Sequence, residues 1–333
     1  MAVQCHALDE SRTSVYGRLQ SAMILAEMNN QRSVAMSLSF FAWNGARRHV
    51  WGLALCCAPS FAAATAATTS IDLKPRWEVG ASVDYLLTKT GVVRIGGVTK
   101  VNTTNTTPVH VEVASATSKG YVLTWTLGPT HFDDAASASM NPAMKKISGV
   151  MTGRQVILRL DRGGRLLEVT NWKAIREIGD ATAGEIAALL AQSRMPREQA
   201  ALAIAQFRSR FSSEEGVREV AGREVQVLLL LLGRRYDRSR PTEFATSVPN
   251  PVGEGQASVV ERVELKSLDA SAALEWTQRG AGTGVRDAQN ASPSVKGRAA
   301  IDVVSGWPSL VTQTISATAD DAERIETTSL QRQ

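Results

Sequence analysis

From Trp77 onward the chain repeatedly alternates β-branched or aromatic residues with polar ones, and this alternation most limits what it can fold into. The segments EVGASVDYLLTKTG, PVHVEVASATSKGYVLTWTLG and GRQVILRLDRGGRLLEVTN all show it before residue 170. A period of two places successive side chains on opposite faces of a strand. Breaks such as Ser118-Lys119-Gly120 have the composition of turns. We therefore predict an antiparallel meander in the first β unit, residues 67–170.

Residues 171–233 change to helical spacing, with apolar residues at every third or fourth position. Asn171, Pro196 and Ser213 supply helix-start signals. The pattern predicts three helices, the last of which runs through VQVLLLLLG. Because residues 227–232 are apolar on every side, this part of the third helix should be buried. A buried strand is the competing interpretation, since periodicity does not assign a short apolar run.

Strand-like alternation returns in residues 234–333, the second β unit, while the Gly- and Ser-rich residues 280–297 predict an exposed loop. The phrase YVLTWT at Tyr121 has a counterpart, AALEWT at Ala272. Two duplicated β units are one interpretation, and the chance similarity of two hairpins is the other. The predicted fold class is α+β, with a large curved antiparallel sheet and a central helical block packed on it.

Residues 36–66 follow the order of a secretory signal peptide: basic residues, an apolar core and small residues. The apolar core, residues 50–58, is much shorter than the roughly 20 residues that span a bilayer. Removal of the segment is therefore expected, with cleavage near Ala64 or Ala66. The predicted mature chain has no transmembrane span and is exported to the periplasm or the extracellular space.

Residues 1–35 add nothing to the signal pattern, so Met36 is the expected start of translation and the preceding residues are interpreted as a non-native extension. A longer basic region before the apolar core is the alternative. Lipoprotein anchoring through Cys56 is a less favoured fate, because Leu55 is larger than the residue that usually precedes such a cysteine. The three cysteines of the chain are Cys5, Cys56 and Cys57. All precede the predicted cleavage site, which excludes disulfides and thiol catalysis in the mature chain.

Charge and motif content argue against several classes of function. Of the formal net charge of +5, the five Arg and three acidic residues before residue 67 account for two units, and the remaining small excess gives no reason to expect a nucleic-acid partner. Beyond that residue the only histidines are His110 and His131. His131 with Asp133 and Asp134 falls short of a metal-ligand set. No catalytic residue, metal or cofactor is predicted, and a hydrolase using either histidine is the least favoured function.

The turn segments LRLDRGG (residues 158–164) and IDVVSGWP (residues 301–308) resemble the repeated element of periplasmic lipoprotein carriers of the LolA and LppX type. In that fold a curved antiparallel sheet is covered by helices and holds acyl chains between sheet and helices. The chain is also similar to a group of exported bacterial proteins of unassigned function that carry PNPVG and SGWP. The resemblance implies an α+β fold and lipid binding but carries over no functional residue. The central helical block departs from the carrier pattern.

Four aromatic residues supply the predicted ligand-binding site: Tyr121, Trp125, Trp276 and Trp307. Aromatic residues on a sheet face are typical of a core, and they also line apolar cavities that bind small molecules. We therefore expect an exported, non-catalytic protein that binds an apolar small molecule, a lipid or an envelope partner. A structural envelope module without a ligand cavity is the alternative. The oligomeric state is not predicted.

Overall fold

A computed structural model describes residues 70–140, 142–193, 195–249, 256–280, 294–319 and 322–333. The strands are β1 (Ser70–Leu73), β2 (Ser82–Ile95), β3 (Val98–Thr117), β4 (Gly120–Leu127), β5 (His131–Phe132), β6 (Gln155–Asp161), β7 (Leu166–Val169), β8 (Arg234–Asp237), β9 (Thr242–Pro249), β10 (Gln256–Leu268), β11 (Ser271–Gly280), β12 (Ser294–Asp302), β13 (Pro308–Ala319) and β14 (Ala322–Arg332). The helices are α1 (Asp134–Ser139), α2 (Pro142–Ser148), α3 (Trp172–Ala191), α4 (Arg197–Phe211), α5 (Glu214–Ala221) and α6 (Arg223–Leu229).

Several predictions fall outside the described residues. These are the start at Met36, the signal peptide, Cys56, the cleavage sites at Ala64 and Ala66, and the middle of the Gly- and Ser-rich loop. The loop prediction was wrong at its end, because residues 294–297 form the first part of β12.

Twelve strands form one antiparallel sheet in the order β7-β6-β4-β3-β2-β14-β13-β12-β11-β10-β9, with β5 beside β3. A separate two-stranded sheet joins β1 to β8. The predicted α+β class with a large antiparallel sheet is therefore confirmed. The last strand, β14, pairs with the first long strand, β2, from Ala322 opposite Ile95 to Arg332 opposite Tyr85. The two predicted β units consequently share a single sheet.

The hairpins that carry the repeated phrase have matching geometry. In β3–β4, Trp125 lies opposite Val111, and a β-bulge follows two residues further along β3. In β10–β11, Trp276 lies opposite Val263, and a β-bulge follows two residues further along β10. The strand series β7-β6-β4-β3-β2 and β13-β12-β11-β10-β9 also run in the same direction across the sheet. Duplication of one β unit, still a prediction, would account for these correspondences.

The central block contains four helices, α3 to α6, where three were predicted. Gly222 divides the last predicted helix into α5 and α6. A Cβ at this position would lie 2.6 Å from the Arg218 carbonyl oxygen and 2.8 Å from Leu166, so only glycine permits this close packing. Ser213 caps α5 as expected, accepting a hydrogen bond from the Gly216 N–H at 3.1 Å. Residues 223–229 are helical, which excludes the competing strand interpretation.

Asn171 was predicted to cap α3, but its side chain makes no capping hydrogen bond. Instead its carboxamide accepts from the Ile157 N–H at 2.9 Å and donates to the Gln155 carbonyl at 2.8 Å. Both partners belong to β6, so Asn171 ties the start of the helix to the sheet. Because its carboxamide is bonded to β6, the Asn171 side chain does not cap helix α3.

The helices cover one face of the sheet, which we call the core face. On β2 this face carries the buried Val83, Tyr85 and Leu87, and the alternate residues are more exposed. Helices α5 and α6 contact β7 and β13 respectively. The largest fully buried side chains of this layer are Trp125, Trp276, Tyr85, Tyr236, Phe211, Leu123, Leu158, Leu160, Ile175, Ile186, Leu228 and Leu274.

The opposite, outer face carries two rows of hydroxyl side chains across β13, β14, β2 and β3. One row is Thr312, Ser329, Thr88 and Thr106, and the other is Thr314, Thr327, Thr90 and Thr104. Neighbouring hydroxyls bond to each other, with oxygens 3.1 Å apart in Thr312–Ser329 and in Thr314–Thr327. Cross-strand pairs of this kind contribute roughly 0.2–1 kcal/mol each to sheet stability.

Two glycines of helix α3 should respond in opposite ways to alanine. At Gly184 an added Cβ meets nothing within 4 Å, so Gly184→Ala should stabilise the protein by about 0.5–1 kcal/mol through helix propensity alone. At Gly179 the Cβ would lie 2.4 Å from the Phe211 ring. Gly179→Ala should therefore destabilise the protein by ~1–3 kcal/mol through overpacking. Urea unfolding of both variants measures the difference, and equal stability changes would contradict the packing of α3 on α4.

Candidate functional site

Two of the predicted ligand residues belong to an aromatic cluster formed by Trp77, Tyr121 and Trp307. The Trp77 ring stacks on Trp307 with centroids 4.2 Å apart, and it lies tilted against Tyr121 at 5.0 Å. The Tyr121 hydroxyl donates a hydrogen bond to the Pro75 carbonyl at 2.9 Å. All three rings are buried. Trp77 therefore joins a strand of the first half of the sheet to the turn before β13.

The other two predicted residues, Trp125 and Trp276, lie on the core face of β4 and β11. They are 1% and 2% exposed. Strands β3, β2, β14, β13 and β12 lie between them, so the four predicted residues do not form one group. Because all four are buried in the apolar core, a ligand that contacts them would have to enter this core.

Three tryptophans of this layer have an unusual polar feature. Among the described residues, the indole N–H groups of Trp77, Trp125 and Trp276 are buried without a hydrogen-bond acceptor. Buried tyrosines differ, since the Tyr85 hydroxyl donates to the Pro308 carbonyl at 2.8 Å. A buried donor without a partner costs about 1–3 kcal/mol, and such groups are rare in native structures. The three N–H groups are therefore buried donors that no atom of the described residues accepts.

A narrow cleft, here called the polar cleft, lies between α6 and strands β13 and β14. Its lining residues are Arg223, Glu224, Val227, Gln313, Ile315, Glu326 and Thr328. Glu224 forms an ion pair with Lys89 of β2. Glu326 accepts hydrogen bonds from Arg324, at 2.5 Å from Nη2 and 3.1 Å from Nε. Each carboxylate of the cleft thus has a nearby cation of its own.

Arg223 is less closely engaged than the other charged groups of the cleft. Its guanidinium lies 4.0 Å from the Glu326 carboxylate, at the outer limit of an ion pair. By comparison, the Arg234–Glu261 pair elsewhere on the core face has a separation of 2.8 Å. The Arg223 side chain is 26% exposed, so solvent reaches it. It is therefore the cation of the cleft best placed to meet an incoming anion.

The cleft is also lined by Gln313, which is 4% exposed. Along the cross-strand row it neighbours Gly297, which in turn lies opposite Trp276. The Trp276 ring covers Gly297 so closely that a Cβ there would lie 2.5 Å from Cε2, the ring carbon bonded to the indole nitrogen. Gln313 and Trp276 thus lie on the same face with one strand between them.

The electrostatics of the cleft favour an ionised Glu224. Burial by itself raises the pKa of Glu224, but the Lys89 ammonium and, more weakly, the Arg223 guanidinium act in the opposite direction. The pKa of this carboxyl consequently lies below its ordinary value. Glu224 is therefore a carboxylate at neutral pH and is matched by Lys89.

Arg234, the first residue of β8, is part of a buried ion pair. Its side chain is 12% exposed and its guanidinium donates to Glu261 at 2.8 Å. The guanidinium also lies 4.6 Å from the centre of the Phe244 ring. The pair joins β8 to β10, and removal of one partner would leave a buried charge. Its role is therefore structural.

The two histidines considered for a hydrolase do not meet. The Nδ1 atom of His110 lies 2.7 Å from the Asp84 carboxylate on the outer face, with both side chains exposed. His131 pairs with Thr106, four residues away from His110 along β3, or about 13 Å. The Asp133 carboxylate caps α1 through the Ala136 N–H at 2.6 Å. The stretch after His131 is helical in α1 and α2.

Neither a metal centre nor a membrane-spanning helix is found among the described residues. No group of three or more His, Cys, Asp and Glu side chains there is arranged to hold a metal ion. No helix in the same residues combines the length and the apolar character needed to cross a membrane.

The sequence offers no reason to single out three residues of the polar cleft: Arg223, Glu224 and Gln313. The available signal for Gln313 was a polar residue at a core-face position of β13, between Val311 and Ile315. Arg223 and Glu224 resembled ordinary helix-start charges ahead of an apolar run. Their meeting with Gln313 depends on the packing of α6 against β13, which no local pattern encodes.

Comparison with known proteins assigns no family. No protein-family model matches the chain, and no curated protein matches it. A solved structure described as "Lipid-protein interactions in lipovitellin" aligns with 77% of the chain and 25% of its own, at 9% sequence identity and a TM-score of 0.41. The chain thus spans about a quarter of the length of that protein. Neither fold nor function follows from so distant a likeness.

The lowered pKa of Glu224 predicts a specific acid sensitivity. A carboxyl whose pKa is lower in the folded state contributes stability above its unfolded pKa and loses it as the pH falls through its folded pKa. Glu224→Gln should therefore reduce the stability at pH 7 and flatten its decline in acid, below about pH 4.3, the ordinary glutamate pKa. Urea unfolding at a series of pH values measures this slope. Glu177→Gln, at an exposed position of helix α3, serves as a control, and an unchanged slope in Glu224→Gln would contradict the Lys89 pairing.

Proposed function

We propose that the protein is an exported, non-catalytic binder of an apolar ligand that carries hydrogen-bond acceptors. The ligand would lie in the layer between the core face and helices α3 to α6. The single observation that carries the proposal is the set of buried indole donors without acceptors: Trp77, Trp125 and Trp276. A purely structural core would be expected to satisfy these groups or to replace them with phenylalanine.

The composition of the layer supports an apolar ligand with few polar contacts. Its described residues form one continuous apolar cluster in which the indole N–H groups of Trp125 and Trp276 are isolated donors. Small-molecule sites usually combine such apolar lining with a small number of polar groups that orient the ligand. An acyl ester or a fatty acid has this character, because its carbonyl or carboxyl oxygens accept hydrogen bonds and the remainder is hydrocarbon.

A second candidate is the structural envelope module without a ligand. It is favoured by the close packing of the aromatic residues, of which Tyr121, Trp125, Trp276 and Trp307 are all less than 5% exposed. Ligand entry would therefore require the helices to separate from the sheet. Native mass spectrometry of the purified protein distinguishes the two candidates. A co-purifying lipid supports ligand binding, whereas a ligand-free mass that persists after incubation with a lipid extract supports the structural module.

Removal of the isolated donors should separate binding from stability. Trp125→Phe and Trp276→Phe keep an aromatic ring but delete the N–H group. The smaller ring loses packing, which destabilises the protein, whereas removal of a buried donor without an acceptor stabilises it. The unfolding free energy should therefore stay within about 1 kcal/mol of wild type. Lipid binding, measured by native mass spectrometry and by titration calorimetry, should weaken several-fold.

Tyr121→Phe is the matched control, because it deletes a buried donor that already has a protein acceptor in Pro75. This variant should lose about 1 kcal/mol of stability and retain ligand binding. Tryptophan variants that bind lipid as wild type does would show that the indole donors do not serve a ligand.

Export is the second part of the proposal and has its own test. When the chain is expressed from Met1 in a Gram-negative host, the protein in the periplasmic fraction should begin immediately after Ala64 or Ala66. Mass spectrometry of its N-terminal peptide identifies the cleaved bond. Arg47→Glu with Arg48→Glu should retain the protein in the cytoplasm by removing the basic residues of the signal. A periplasmic protein that starts at residue 1 or at Met36 would contradict signal removal.

A further inference from the structure

We infer that strand β14 keeps the chain unfolded until β14 itself has been synthesised, and that this delay allows the precursor to be exported before it folds. The inference rests on the proposed function, because the signal peptide directs the chain to an export route that carries unfolded polypeptides. The folding delay itself depends only on the place of β14 among the described strands.

The twelve-stranded sheet consists of two series of strands that each follow the chain. Along the sheet the order is β9-β10-β11-β12-β13-β14 and then β2-β3-β4-β6-β7. Within each series, neighbouring strands are close in sequence. The β14–β2 pair instead joins distant segments, since Arg94 and Glu323, which form an ion pair across it, are 229 residues apart. The described sheet thus has one long-range joint, and its last strand in chain order makes that joint.

The first series, β2 to β7, is incomplete without β14. Strand β2 would be an edge, because the eleven residues of β14 are its neighbours from Tyr85 to Ile95. Leu87 would also lose Leu330, which lies opposite it on the core face and is completely buried. An edge of this length leaves N–H and C=O groups unpaired beside an uncovered apolar face. The first series is therefore less stable before β14 has been made.

The helices do not replace the missing contacts. Helix α5 packs on β7 of the first series, but α6 packs on β13 of the second. Four apolar residues of α6 are buried in the complete protein: Val225, Val227, Leu228 and Leu229. Part of the cover of α6 therefore comes from strands that are synthesised after it.

The aromatic cluster also draws on both series. Trp77, just before β2, stacks on Trp307 with centroids 4.2 Å apart. The Tyr85 hydroxyl of β2 donates to the Pro308 carbonyl of β13 at 2.8 Å. Because the first series shares its core with the second, we expect the two to fold in one cooperative step.

The order of synthesis turns this shared core into a delay. In many proteins the N-terminal part folds while the rest is still being synthesised. Here the closing pair joins the first and the last strand of the sheet, so its entropy cost is high and its formation is slow. Folding that waits for this pair leaves time for the unfolded precursor to be exported.

Refolding of the full chain from Ala67 tests whether the two series fold together. Pulsed hydrogen exchange after dilution from urea, measured by mass spectrometry, follows peptides from β3 and β4 and from β13 and β14. A brief unfolding step keeps the prolines in their native isomers. Peptides of both series should become protected with one rate constant. Earlier protection of β3 and β4 would overturn the inference.

A circular permutant changes the order of the strands but keeps their contacts. Gln333 is joined to Ser70 by a flexible Gly-Ser linker, and the chain is opened between Arg238 and Ser239, in the exposed turn before β9. In this order β14 precedes β2, and every neighbouring pair of the sheet is close in sequence. The permutant should refold about tenfold faster than the wild type. An unchanged rate would overturn the delay.

Two full-length variants provide the measurement if the permutant does not fold. Leu330→Ala weakens the closing pair and should slow the protection of β3 and β4 several-fold, although these strands lie beyond β2. Gln331→Ala, at an exposed position of the same strand, should refold as the wild type does. Unchanged protection of β3 and β4 in Leu330→Ala would show that the first series folds without β14.

Pulse–chase labelling in a Gram-negative host tests the consequence for export. The wild-type precursor should stay sensitive to protease in the cytoplasm and then reach the periplasm. The permutant behind the same signal, residues 36–66, should fold first and accumulate in the cytoplasm in a protease-resistant form. Equal export of both chains would overturn the link between the delay and export. Retention of the wild type itself would overturn the proposed export, whereas the refolding rates would still decide the folding delay.

Discussion

The pairing of β14 with β2 holds the two halves of the sheet together, and the placement of every other strand depends on it. These strands are distant in sequence but register over the whole span from Tyr85–Arg332 to Ile95–Ala322. Such non-local pairing carries a high loop-closure cost, which the contacts on both sides of it must offset. On the core face it sets Leu87 opposite Leu330 and then Lys89 opposite Thr328. The pairing of β14 with β2 therefore also sets the apolar residues of the core face beside the polar cleft.

A second constraint acts where the chain crosses the ends of the strands. The turn after β6 contains Gly164 at φ 86°, and the turn after β12 contains Gly306 at φ 75°. A Cβ at Gly164 would lie 2.9 Å from the Pro75 ring, and one at Gly306 would lie 2.5 Å from the Lys74 carbonyl oxygen. Both turns therefore need glycine for backbone conformation and for close approach to one crossing segment. Trp77 follows directly and stacks on Trp307, so the same segment anchors the aromatic cluster.

Local periodicity was sufficient for the α+β class, because a half-buried strand and an amphipathic helix each leave a repeating pattern. It could not predict that β14 occupies the middle of the sheet, since neighbours in a sheet depend on pairing between distant segments. The repeated Trp-Thr phrase correctly drew attention to Trp125 and Trp276 as core-face residues at matching positions. Their N–H groups lack acceptors because of the residues that surround them in the folded protein, and the sequence pattern does not show this. The place of Gln313 in the polar cleft depends on its surroundings in the same way.

The hydroxyl rows on the outer face have a consequence for how the protein behaves in a crowded compartment. A broad sheet risks stacking against another molecule, either by burying large apolar side chains or by offering unsatisfied polar groups. Thr312, Thr314, Thr327 and Ser329 present neither, because their hydroxyls already bond to one another across the strands. A second sheet that approached this face would gain little hydrophobic area and would have to break existing hydrogen bonds. This part of the outer face therefore offers little to a second sheet.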